Sequence, residues 1–307
     1  MLQFEKISER HRLGFIGLGH MGSRIARRLL AAGFPMVVYN RESDKTIELS
    51  ALGAEVAPQP AALAANVDVV LSCLADGAAV EDVYLGSGSV LRSARPGTRI
   101  IELSTVAPET SRNLYRAGRQ LGISVLDVAV SGSTPAAEAG ALTLLAGGER
   151  PAFDTAGEIF GAIAKQWFYM GPSGSGVAMK LVVNTLLGLG MQSVAEAVAL
   201  GSALGLRRDL LFDVLAKTAV VSPVQAAKLA SAKANEYAPQ FPIRLMHKDF
   251  GLALSAAAGA HLWLPATEAA AIVNAAESKS GGEEDFSAVI RRMEQAAGME
   301  AIPSLIN

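Results

Sequence analysis

Two polar side chains, Lys180 and Asn184, interrupt the apolar run GPSGSGVAMKLVVNTLLGLGMQSVAEAVALG at residues 171–201. Four residues apart, they share one face of a helix. An ammonium among apolar neighbours is costly unless it is paired, hydrogen-bonded or used. A lysine in such a place can hand a proton to a carbonyl oxygen as hydride arrives at the carbon. The amide can hold that oxygen, or the lysine, in line. The structural alternative is a lysine stem that snorkels out of the helix end. Further on, HKDF adds Lys248 and Asp249, which read equally well as a solvated charge pair on a helix.

A second set of residues suits an anion. GLGHMG places Gly17, Gly19 and Gly22 in Gly-x-Gly-x-x-Gly spacing, after a β-rich run and before a helical one. In that context the first glycine permits a tight turn, the second lets backbone approach a pyrophosphate, and the third lets helix and strand pack closely. The helix N-terminus offers free N–H groups to the anion. The whole loop, Gly17, Leu18, Gly19, His20, Met21 and Gly22, is the candidate dinucleotide cradle, and Leu74 at the end of DVVLSCL is a further candidate contact. After the second strand, where an NAD site usually carries a carboxylate, the chain reads Asn40-Arg41. Nothing there repels a 2′-phosphate and Arg41 can pair with one, so NADP(H) is favoured over NAD(H); the alternative is a solvated arginine. DVAVSGSTPAAEAG breaks at Ser131-Gly132-Ser133, small residues whose N–H and hydroxyl groups suit a small carboxylate or simply make a surface turn. ELSTVAPET ends a strand with Ser104 and Thr105, beside the expected cofactor crevice; Ser104 reads equally as a helix cap.

The elements that must hold these residues alternate. Strands are expected at 13–18, 35–39, 68–74, 98–103, 123–130, 142–147 and 166–170, with Ala/Leu-rich helical segments between most of them, the first closed by Gly33. Apolar strands separated by helices imply a mainly parallel, doubly wound sheet. After Gly176 the strand signal stops and helices follow. The expected architecture is an α/β Rossmann-type doubly wound sheet over 1–173 and an all-α domain over 174–307. The chain has 307 residues, 50% hydrophobic and 18% charged, enough for two cores. A formal net charge of −2 and sparse aromatics give no case for nucleic acid or for an anionic membrane surface. The stretch after Lys180 is broken by Asn184, Thr185, Gln192, Ser193 and Glu196, so it reads as a helix buried by protein rather than a membrane span. One cysteine, Cys73, and a charged N-terminal MLQFEKISERH without a secretory core lead to the expectation of a cytoplasmic protein. Four scattered histidines and one cysteine offer no metal-ligand spacing.

Taken in order, GFIGLGHMG, VSGS, GSGVAMKLVVN and HKDF resemble the β-hydroxyacid dehydrogenase family over nearly the whole chain. The resemblance implies a Rossmann domain, a helical second domain, an active site between them, and homodimers or homotetramers. It makes Lys180 the acid/base and Asn184 its assistant. It assigns the Ser131-Gly132-Ser133 turn to the substrate carboxylate, Thr105 and Lys248 to the cofactor, and Asp249 to support beside the lysine, at the substrate. Many members have Ser-Gly-Gly followed by Gly-Ala where this chain has SGSTPAAEAG. That version is similar to the glyoxylate/succinic semialdehyde reductase branch and turns the expectation to NADPH-dependent interconversion of small aldehyde acids and hydroxyacids. A 3-hydroxyisobutyrate-type dehydrogenase is the alternative. Imine reductases share the fold but typically replace the lysine, and a dinucleotide-binding scaffold without turnover would be expected to lose it.

Overall fold

Among the described residues eight strands form one sheet: β1 (Leu13–Ile16), β2 (Met36–Tyr39), β3 (Glu55–Val56), β4 (Val69–Ser72), β5 (Arg99–Glu102), β6 (Ser124–Ser131), β7 (Leu142–Gly147) and β8 (Ala164–Gly171). The computed structural model describes residues 5–8 and 10–298. Parts of the charged N-terminal stretch and the end of the expected helical domain therefore lie outside the described residues. The spatial order is β3-β2-β1-β4-β5-β6-β7-β8. All neighbours are parallel except β6 and β7, which are antiparallel. The order turns back on itself at β1 and β4, and ligands of such sheets sit beyond the carboxyl ends of the strands at that point.

Alternate residues of each strand feed two apolar clusters, one on each face. Leu13, Phe15, Val69, Leu71, Leu126 and Val128 belong to one cluster. Ile16, Val70, Ile100, Val125 and Ala129 belong to the other. Seven strands fall where the apolar runs predict them. β3 was not expected, because its two residues are both exposed and carry no alternation to read.

The chain divides into two compact units, Met1–Lys180 and Leu181–Asn307. The division falls inside one unbroken helix, Ser175–Ala203. In the second unit, helices Arg208–Leu215, Pro223–Lys233, Ile243–Gly259, Pro265–Gly281 and Val289–Ala296 follow it. Their core includes Met191, Val194, Val198, Phe212, Leu229, Met246, Phe250 and Ile290. A buried ion pair joins two of its segments, Lys228 Nζ to Asp285 Oδ2 at 2.8 Å. The long helix is apolar and long enough to cross a membrane. Expected to be buried by protein, it is so on one side only: Val182, Leu186 and Leu200 are exposed at 61, 74 and 62%, because the second unit's core takes up a single face.

Candidate active site

In the nucleotide unit, β1 ends at Ile16, Gly17 turns with φ +92°, and the helix His20–Ala31 begins behind Gly19. A side chain at Gly22 would run into the Gly17 carbonyl oxygen, whereas one at Gly19 would meet nothing within 4 Å. The loop is therefore closed against its own strand and open at the helix N-terminus, which has no side-chain cap. That is the shape a pyrophosphate requires, so the residues present fit a dinucleotide. His20 is exposed and Met21 half-buried. Leu18 is buried, and its N–H donates to Asn40 Oδ1 at 2.8 Å. Asn40 thus ties the loop to the end of β2, while its Nδ2 donates to the Glu42 carbonyl. Beyond it a groove is lined by Tyr39, Arg41, Ser43, Thr46, Ala57 and Pro58. Arg41 is exposed there, and Glu42 is engaged by Lys45 at 2.9 Å.

The loops after β4 and β5 are held together. Leu74 N–H donates to Ser104 Oγ at 2.7 Å, and Ser104 N–H donates to Glu102 Oε1 at 2.9 Å. Ser104 is thus a bridge between two loops; the helix that follows, Pro108–Gln120, has no side-chain cap. Thr105 stands next along, half-buried. Glu102 itself was not singled out from the sequence. It pairs in register with Ser72 on one side and Asp127 on the other, and its Oε2 is buried without a hydrogen-bond partner among the described residues. Burial pushes its pKa up to about 7, against the bonds from Ser104. Asp127 was missed as well. Burial raises its pKa too, opposed by backbone N–H groups that its carboxylate accepts. The signal that could have found both is a carboxylate inside an otherwise apolar strand, IIEL and VLDVAV.

β6 ends at Ser131, half-buried, and Gly132 takes φ +143°. Ser133 starts the short helix Thr134–Glu138. The departure in the motif has a structural use: Glu138 accepts from Arg24 Nε at 2.6 Å, one turn into the glycine-loop helix.

Lys180 is half-buried on the long helix, one turn before Asn184. In the helical unit Asn184 is 2% exposed and its Nδ2 donates to Asp249 Oδ2 at 2.5 Å. A carboxylate only accepts, so the amide nitrogen must face it. Asn184 Oδ1 is then turned away, buried with no donor among the described residues. Lys248 Nζ lies 3.4 Å from Asp249 Oδ1. The half-buried Lys248 and the buried Asp249 therefore form one cluster with Asn184 rather than a solvated pair.

The family description "NAD binding domain of 6-phosphogluconate dehydrogenase" matches residues 12–171. "NAD-binding of NADP-dependent 3-hydroxyisobutyrate dehydrogenase" matches residues 174–293. The chain is 34% identical to the 2-(hydroxymethyl)glutarate dehydrogenase of Eubacterium barkeri, covering 94% of this chain and 96% of that one. It is 35% identical to glyoxylate/succinic semialdehyde reductase 1 of Arabidopsis thaliana, covering 91 and 96%. Among solved structures, the Mycobacterium tuberculosis 3-hydroxyisobutyrate dehydrogenase with L-serine superposes with a TM-score of 0.85 at 29% identity, covering 92 and 99%. The two matched descriptions and these relatives agree on an oxidoreductase that uses a nicotinamide dinucleotide and acts on hydroxyl groups.

Proposed function

The chain belongs to the β-hydroxyacid dehydrogenase family, and on that premise we propose that it is an NADPH-dependent reductase of small aldehyde acids of the glyoxylate or succinic semialdehyde type, reversible as a hydroxyacid dehydrogenase, with Lys180 as its acid/base. The observation that carries this reading is the Lys180–Asn184 turn of the long helix, with Asn184 held by Asp249. When bound, the nicotinamide supplies hydride to the carbonyl carbon or takes it from the alcohol. Lys180 stabilises negative charge on the carbonyl oxygen and gives it a proton. Asn184, its nitrogen committed to Asp249, presents Oδ1 as an acceptor for the lysine or the new hydroxyl. By the family's pattern Thr105 and Lys248 serve the cofactor, and the Ser131-Gly132-Ser133 turn takes the substrate carboxylate.

For the cofactor, the groove after β2 carries Arg41 and Ser43 and no carboxylate among its lining residues, which supports a 2′-phosphate. Similarity to the Arabidopsis reductase supports the aldehyde acid. The open apolar side of the long helix supports a homodimer or homotetramer, and the single cysteine supports a reducing, cytoplasmic setting. The test is oxidation of NADPH and of NADH with a panel of aldehyde acids, plain aldehydes and cyclic imines. Turnover of the aldehyde acids with NADPH is expected to lead. Imine turnover, or a preference for NADH, would overturn the corresponding part of the reading.

A further inference from the structure

The lysine helix begins in the middle of the sheet's polar row. Ser72, Glu102, Asp127 and Gly147 are neighbours in register across β4, β5, β6 and β7. Asp127 is 1% exposed. Its Oδ1 accepts from Gly174 N–H at 2.7 Å and its Oδ2 accepts from Val177 N–H at 3.1 Å. Gly174 stands immediately before Ser175–Ala203 and Val177 is its third residue, so both N–H groups are among those a helix start leaves without an intrahelical partner. A buried carboxylate that satisfies two of them, at the positive end of the helix dipole, holds the helix both along and about its axis.

The surrounding backbone leaves no slack. A side chain on Gly176 would collide with the carbonyl oxygens of Leu145 and Asp127, and one on Gly147 would come within 2.8 Å of both Asp127 carboxylate oxygens and of Gly176 N. Ser173 Oγ also donates to the Ser111 carbonyl at 3.3 Å. Lys180 follows Val177 by three residues, so it stands one turn above the anchored amide. All these residues belong to the nucleotide unit, which also carries the dinucleotide loops.

We propose that Asp127 is a positioning residue for the reaction: by gripping Gly174 and Val177 it sets the height and rotation of the helix start, and so the place of the Lys180 ammonium relative to the cofactor loops. It does not touch substrate and transfers no proton itself. A shift of about 1 Å in a reacting group is enough to cost roughly a hundredfold in rate. Charge and geometry both matter, because asparagine in its place keeps one acceptor oxygen and offers an NH₂ where the second acceptor stood.

This inference rests on the reading of Lys180 as acid/base, and a double-mutant cycle separates the two. Asp127→Asn, Lys180→Met and the pair are compared for kcat, KM and NADPH dissociation constant, with fluorescence titration for the cofactor. Asp127→Asn is expected to lower kcat roughly tenfold to a hundredfold, with NADPH affinity within about twofold of wild type. In the Lys180→Met background the same substitution is expected to have almost no further effect, because the group it positions is gone. A merely structural role would lower the rate by the same factor in both backgrounds, and that result overturns the proposal. So does an Asp127→Asn enzyme with wild-type kcat. If Lys180→Met alone keeps its turnover, the acid/base reading fails and this inference fails with it. If Lys180→Met is slow while Asp127→Asn is not, this inference alone fails. Should Asp127→Asn not fold, Gly147→Ala presses on the same carboxylate without removing it and is run through the same cycle, with the same two outcomes.

Discussion

In a Glu102→Gln variant the stability of the nucleotide unit should lose part of its dependence on pH. The Glu102 carboxyl is 2% exposed, and burial raises its pKa from the ordinary 4.5 to about 7. An acid whose pKa is raised by folding stabilises the fold below its unfolded pKa and loses that contribution as pH rises toward the folded value. Two and a half pH units, at about 1.36 kcal/mol each, make about 3 kcal/mol in all. Roughly 2–3 kcal/mol of it develops between pH 5 and 8. Glutamine keeps an oxygen for the Ser104 N–H and carries no titrating proton. The wild-type stability minus that of the variant should therefore fall by that amount from pH 5 to pH 8. Urea unfolding at each pH reads it. Trp167 lies in β8, in the nucleotide unit, and Trp263 lies in the helical unit, so a Trp263→Phe background leaves Trp167 as the local fluorophore. A difference that stays constant across this range would show that folded Glu102 is already ionised, and the account of its burial would be wrong.

Three further outcomes concern activity. Lys180→Met keeps the apolar stem and removes the ammonium; kcat should fall by roughly a hundredfold to ten-thousandfold with NADPH binding retained, and steady-state kinetics beside fluorescence titration will tell. Arg41→Ala should weaken NADPH roughly tenfold to a hundredfold while leaving NADH nearly unchanged; an equal effect on both cofactors would remove Arg41 from phosphate recognition. Ser131→Ala should raise KM for an aldehyde acid roughly tenfold to a hundredfold, the cost of one bond to a charged group, with little change in NADPH affinity. A wild-type KM would make the turn purely structural.

What could be read from the chain was local. The GLGHMG loop is legible because two of its glycines, Gly17 and Gly22, stand where only backbone fits. Strands such as β1 and β4 are legible because they are buried along their length and almost wholly apolar. Asn40 is expected at the cofactor; its carbonyl oxygen also accepts from Leu18 N–H, a bond across 22 residues that no spacing rule announces. The same holds for Asn184 with Asp249, 65 residues apart, and for Asp127 with Val177, 50 residues apart. Side chains that meet across such distances are brought together by the sheet and the helix packing, so only their oddness shows in the sequence: an amide or a carboxylate where its neighbours are apolar.

The long helix is gripped twice by buried carboxylates, at Val177 by Asp127 and at Asn184 by Asp249. Val177 and Asn184 stand seven positions apart, close to two full turns, so both points fall nearly on one line along the helix. A single residue inserted or deleted there would turn everything beyond it by about 100° and shift it by about 1.5 Å. Asn184 would then no longer stand on the line of Val177 along the helix. The length of this stretch therefore sets the phase between the two gripped positions. A hybrid that joins the nucleotide unit of this chain to the helical unit of a relative takes Asp127 from one parent and the partner of Asn184 from the other, so the relative must match 174–184 in length and carry an acid where Asp249 stands. The turn after Ala203, where Gly205 takes φ +79° and the chain is exposed, is the place where the join can be made with the least disturbance.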